Sequence, residues 1–392
     1  MADKRFLLIK AWSHILWSDV EHVLSQLLIA ELTDRIPVVY WPTHCIDNGY
    51  IHTNGFELYF EPVSDASVFD IAKPEYTFFP PVWDENNILI EDPTKDTWVY
   101  RNLGDMLTCS ANVLIGDVYF DIYNIIPFIR KDHPAYGMTV REIYRYLFRK
   151  YIHIKPDIKI EIQGFYNSWL KDEIPTLAVH VCKVDNNVMY VKNKRKVKYK
   201  FFKKSYEKNI PQRQKRAEND YVEKKIRFRR LPWRKRILNP NEPYHDEIKK
   251  YIERYNVRKI FLVTDSEDIL EEYRKKYGAM IAATECPRID DEKNIHWLDN
   301  PMVKRRQGID ILKDTYIAAK CEFFIGNDFS SLSQSIVNLK DWPKSNVRLL
   351  YRQVGKRKYP INTEIVTREH RFHPIIGIKD FVKKILKKKD SE

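Results

Sequence analysis

Short apolar runs alternating with helix-spaced stripes recur along this chain, and that rhythm leaves few options besides parallel sheets covered by helices. Phe6 to Ile9 reads as a strand. Val20, Val23, Leu24, Leu27 and Leu28 then fall on one face of a helix over 19–32, and 36–40 reads as a buried strand. This βαβ opening starts one sheet. Residues 41–131, rich in Pro, Asp, Asn and aromatics, show no clean period and are expected to be irregular. A helix is predicted over 140–151, where Thr139 and Glu142 have capping-box spacing and Val140, Ile143, Tyr144 and Leu147 form the stripe.

After a connection near 154–156 the rhythm resumes. Strands are predicted over 176–181, 259–263, 322–325 and 347–351, with helices over 246–255, from Ser266 to Tyr277, over 309–319 and over 331–339. Gly278 stands where a helix C-terminus favours glycine. The expectation is an α/β protein of two Rossmann-like, doubly wound domains, 1–160 and 161–375, with a basic helical tail over 376–392. The amphipathic stretch 378–389 in that tail suits either a neighbouring helix or a membrane surface.

Charge is concentrated in one place. The chain carries a formal +13, but the segment bounded by Lys192 and Arg236 holds 20 Lys+Arg and 4 Asp+Glu, which leaves the remainder at about −3. Tyr199, Phe201, Phe202, Tyr206, Tyr221, Phe228 and Trp233 are interleaved with those cations. Such a mixture suits nucleic acid, an anionic glycan or a membrane surface, or an insertion packed on the protein by its aromatics. Five scattered cysteines without a CxxC pair suggest neither a disulfide framework nor a zinc site. The chain has no GxGxxG, GxxxxGK[ST] or HExxH, no signal-peptide pattern and no membrane-length apolar run, so a cytoplasmic protein is expected.

Three strand ends carry the polar residues. They are His180 with Lys183 and Asp185, then Thr264-Asp265-Ser266, then Gly326-Asn327-Asp328-Phe329-Ser330-Ser331. Carboxyl ends of parallel strands and the helix N-termini after them form ligand crevices that favour phosphate. Taken singly, Asp265-Ser266 and Ser330-Ser331 also read as helix caps, and His180 also reads as a core histidine.

In this order the three pieces resemble the α1,6-fucosyltransferases and the related protein O-fucosyltransferase superfamily. Leu177-Ala-Val-His-Val-Cys-Lys-Val-Asp185 is similar to their H-V-R-x-x-D strand, and Ile260-Phe-Leu-Val-Thr-Asp-Ser266 to their second motif. Residues 314–331, from Asp314 to Phe329-Ser330-Ser331, are similar to the third. The resemblance implies a GT-B glycosyltransferase, inverting and metal-independent, with GDP-fucose as donor substrate and no other cofactor. The acceptor expected is a glycan or, given the basic segment, a lipid-linked glycan, with peripheral membrane contact through the basic tail. The resemblance places His180, Cys182, Lys183, Thr264, Asp265, Ser266, Asp314, Asn327, Ser330 and Ser331 around the donor.

One position departs from the pattern. Where the family has the arginine that neutralises the leaving diphosphate stands Cys182, and a thiol supplies no bidentate cationic fork. Lys183 is the nearest substitute, and Asp185, Glu218 and Glu223 are the candidate bases for the acceptor hydroxyl. An acidic acceptor is expected to meet the 192–236 segment. The competing expectations are a nucleotide-sugar-binding protein without turnover and a nucleic-acid-binding protein acting through 192–236.

Overall fold

The apolar runs become the inner strands of two all-parallel sheets in a computed structural model that describes residues 4–12, 16–42, 54–90, 102–181, 242–288, 301–328 and 330–350. The first sheet holds β1 (Phe6–Ile9), β2 (Ile36–Val39), β3 (Phe78–Phe79) and β4 (Val113–Gly116) in the order β2-β1-β4-β3. Its register is set by Phe6, which stands opposite both Ile36 and Val113. The second sheet holds β5 (Thr176–His180), β6 (Lys259–Val263), β7 (Ile281–Ala282), β8 (Phe323–Asn327) and β9 (Val347–Leu350) in the order β7-β6-β5-β8-β9. The chain winds outward from β5 to β7 and then returns to β5's other side with β8. The reversal between β5 and β8 is the topological switch point of this sheet, and the pair β1 and β4 is that of the first. Two doubly wound α/β sheets are thus the architecture that the rhythm of the sequence predicted.

Ten helices are described. They are α1 (Leu16–Leu32), α2 (Val68–Ile71), α3 (Leu103–Thr108), α4 (Ile122–Ile125), α5 (Val140–Tyr151), α6 (Pro156–Trp169), α7 (Glu242–Tyr255), α8 (Glu267–Tyr277), α9 (Pro301–Lys320) and α10 (Ser331–Leu339). The capping box of α5 forms as read, with Thr139 N–H donating to Glu142 at 2.7 Å. Gly278 ends α8 with φ +56°, a backbone region glycine enters without a Cβ clash.

Two expectations are corrected. Residues 41–131 are not simply irregular, since α2, β3, α3, β4 and α4 lie within them. β4 is a fully buried four-residue apolar run in the middle of its sheet, and so short an element has no period to detect. Helix α6 starts at Pro156, in the expected connection, and fills residues for which no element is predicted. Its Ile160 and Trp169 are exposed, which blurs the apolar stripe.

The stripe read on α1 is only part of what that helix buries. Asp19, His22, Ser25 and Gln26 are buried as well, because α1 lies between its own sheet and the helices of the other half. Trp17 is the join. Its indole Nε1–H donates to Thr315 Oγ1 on α9 at 2.9 Å, and its ring lies against Phe148 and Tyr316. Tyr59 seats against α9 at Gly308, where a Cβ would collide with the Tyr59 hydroxyl. A single apolar cluster accordingly runs from Leu7 and Ile9 through α1 to Phe261, Phe324 and Ile336. Among the described residues no helix is long and apolar enough to cross a membrane.

Candidate functional site

At the switch point of the second sheet, β5 ends in His180 and the adjacent β8 ends in Gly326-Asn327, after which Ser330 caps α10. One side chain ties these three ends together. Ser333, in the first turn of α10 and fully buried, places its Oγ 2.7 Å from His180 Nδ1 and accepts the Asn327 N–H at 3.0 Å. Its own N–H reaches Ser330 Oγ at 3.5 Å. The packing is tight enough to require glycine at 326, where a Cβ would stand 2.6 Å from Ser333 Oγ and from the Phe324 ring.

His180 is 5% exposed, and burial pushes its imidazole down to about 4, with the nearby Asp265 charge acting in the opposite direction. It is therefore neutral near pH 7. Ser331 opens α10 half-buried, and because α10 follows β8 directly, its N-terminal amides and the positive end of its dipole lie at the carboxyl edge of the sheet.

The second strand end folds differently from its reading as a cap. Ser266 occupies the N-cap position of α8 and its N–H donates to Thr264 Oγ1 at 3.3 Å, but its own hydroxyl makes no capping bond. That hydroxyl is buried without a hydrogen-bond partner among the described residues, while Asp265 beside it is half-buried.

Asp314 lies at the far end of the same edge. It projects from α9 and accepts the Thr284 hydroxyl at 2.6 Å, just beyond β7. Burial raises its carboxyl to about 7, against the pull of the Thr284 hydrogen bond and of Arg288. Arg288, with a side chain 6% exposed, donates to the carbonyls of Thr284 at 2.8 Å and Cys286 at 3.4 Å and lies 3.8 Å from Glu267. From β7 to β8 is three strand spacings, roughly 14 Å. The edge thus offers buried carboxylate chemistry at its β7 end and the start of α10 at its β8 end.

Of the residues singled out in the sequence, His180, Asn327, Ser330 and Ser331 come together at the switch point, Thr264, Asp265 and Ser266 lie one strand away, and Asp314 stands at the β7 end. Cys182, Lys183, Asp185, Glu218, Glu223, Phe329, the 192–236 segment and the 376–392 tail lie outside the described residues. Ser333, Thr284 and Arg288 went unremarked in the sequence. Ser333 sits three residues after the capping Ser330, a spacing that marks it only once the helix start is known.

The first sheet has its own polar cluster at the matching edge. Lys10, directly after β1, donates to the carbonyls of Ile88 and Ile90, both at 2.7 Å, beneath the rings of Tyr40 and Trp83. Asp19 accepts the Trp12 N–H at 2.8 Å, and His22 Nε2 meets the Gly116 carbonyl at 3.0 Å. These contacts brace the β1 and β4 ends.

Neither a protein-family model nor a curated sequence matches the chain. Among solved structures it is similar to fucosyltransferase NodZ from Bradyrhizobium, at 17% identity over 85% of this chain and 92% of that one, with a TM-score of 0.45. It is also similar to POFUT1 in complex with GDP-fucose, at 14% identity over 87% of this chain and 95% of that one, with a TM-score of 0.45. Arabidopsis thaliana FUT1 in complex with GDP matches at 11% identity over 90% of this chain and 71% of that one, with a TM-score of 0.48.

Proposed function

We propose that this chain is a glycosyltransferase that moves a sugar from a nucleoside diphosphate donor bound along the carboxyl edge of the second sheet. The observation that carries the reading is the convergence of His180, Asn327 and the α10 N-terminus on one buried hydroxyl at the switch point of a doubly wound sheet. The diphosphate lies over the first amides of α10, within reach of His180. The nucleobase lies toward Thr284 and Asp314, whose carboxylate suits a pair of N–H donors such as guanine presents. GDP-fucose is the donor that the sequence resemblance implies.

Departure of the diphosphate needs its developing charge met by donors already in place. The amides of Ser331 and Leu332 and the His180 N–H serve that purpose, with Lys183 as the cation that Cys182 cannot be. Asp185 or Glu223 removes the proton of the acceptor hydroxyl, so that attack proceeds with inversion and without a metal. An acidic glycan acceptor is held by the 192–236 segment. Deleting that segment weakens acceptor binding and spares donor binding; equal loss of both would reject this role.

The test of transfer is release of GDP from GDP-fucose over a panel of neutral, carboxylated and phosphorylated glycans, with Cys182→Arg run beside the native chain. Turnover by the native chain supports the reading. Nucleotide binding with turnover only in Cys182→Arg would favour the second reading, a nucleotide-sugar-binding protein whose catalytic cation has been lost at Cys182.

A further inference from the structure

Ser333 belongs to none of the three motifs, yet the first and the third meet through it. Its Oγ has two neighbours that fix the direction of its proton. The Asn327 N–H at 3.0 Å is a donor and nothing else, so the oxygen accepts there. The remaining neighbour is His180 Nδ1 at 2.7 Å, and among the described residues no other acceptor receives the Ser333 hydroxyl. A fully buried hydroxyl does not leave its proton unpaired when an acceptor is in reach. The proton therefore points to Nδ1. With Nδ1 accepting, a neutral ring carries its hydrogen on Nε2, on the other side of the imidazole. Among the described residues nothing hydrogen-bonds Nε2.

We propose that Ser333 is a positioning residue: its hydroxyl locks His180 as the tautomer with Nε2–H directed into the crevice, so that His180 serves as an uncharged donor to the anionic part of the bound ligand. The ligand half of this statement rests on the nucleoside-diphosphate reading above; the tautomer half does not. The consequence is a site that meets diphosphate charge with oriented neutral donors, the His180 N–H beside the amides of α10. Such donors keep their strength as pH changes. A histidinium in the same place would instead bind the anion more weakly as it lost its proton.

The test is nitrogen-15 NMR of the full chain with labelled histidine, the His180 ring assigned by loss of its signals in His180→Asn. The expected spectrum has an unprotonated Nδ1 and a protonated Nε2, unchanged from pH 6 to pH 8. A protonated Nδ1, or a ring that titrates in that range, overturns the proposal from the native protein alone, whether or not any variant folds. Ser333→Ala is expected to admit the second tautomer and to weaken GDP binding roughly tenfold or more, while Ser333→Thr, which keeps the hydroxyl, retains the native tautomer and affinity. A Ser333→Ala protein with the native tautomer would refute the lock. If the native chain shows the expected tautomer and binds no nucleotide, the donor-site reading and the ligand half fall, and the tautomer assignment stands.

Discussion

Replacing Asp314 by asparagine should stabilise the fold above neutral pH and leave it unchanged in acid. The carboxyl is 7% exposed, and burial raises it to about 7 from an ordinary 3.8, despite the Thr284 hydroxyl and the positive charges of Arg288 and Lys313. The folded protein therefore holds this proton more tightly than the unfolded chain does. The contribution of Asp314 favours folding fully below about pH 4 and is lost as the pH rises through 7. At 1.36 kcal/mol per pH unit, the interval from 3.8 to about 7 amounts to roughly 4 kcal/mol. The amide of the Asp314→Asn variant offers an oxygen to the same Thr284 hydroxyl and carries no charge to desolvate. Urea unfolding of the two proteins at a series of pH values reads the difference directly. The stability gap in favour of Asp314→Asn should open by about 4 kcal/mol between roughly pH 4 and pH 8. Parallel curves across that range would refute the reasoning. The same substitution should lower the preference for GDP over other nucleoside diphosphates, because a neutral amide cannot accept from two N–H donors as a carboxylate does.

Gly326→Ala should destabilise the protein by about 1–3 kcal/mol in denaturant titrations, since the new Cβ meets Ser333 Oγ and the buried Phe324 ring at 2.6 Å. Trp17→Phe should cost about 1–3 kcal/mol by leaving the Thr315 hydroxyl without its indole donor, and heating should then separate the unfolding of the two halves; one unchanged transition would count against Trp17 as the join. His180 is held at about 4, below its usual 6.5, so its contribution to stability is full above 6.5 and is lost as the pH falls through 4, about 3 kcal/mol in all. Acid unfolding of His180→Gln should accordingly be less steep than that of the native protein over that interval.

Much of the fold was legible because each long helix pairs a stripe with a stop. Thr139 with Glu142 marks the start of α5, and Gly278 marks the end of α8. The helix α9 is longer than its reading over 309–319, and β4 and β7 were missed, since four- and two-residue strands carry no period. The buried polar side of α1 was invisible for another reason: Asp19, His22 and Gln26 look like a solvated face until the Trp12 N–H and the carbonyls of Gly116 and Val118 are seen to meet them. At the candidate site, the strand-end rule found His180 and Ser330-Ser331. It did not find Ser333 or Thr284, whose roles arise from distances between elements far apart in the chain. Ser266 shows the opposite error, a capping residue by position whose hydroxyl caps nothing.

The central claim is that a nucleoside diphosphate binds where β5 and β8 part. Calorimetric titration of the native chain with GDP tests it most directly, beside His180→Asn and a control substitution at exposed Asp34. The account predicts saturable one-to-one binding by the native and control proteins and a loss of affinity of roughly tenfold or more in His180→Asn. Native protein that binds no nucleotide, or GDP binding indifferent to His180, would contradict it.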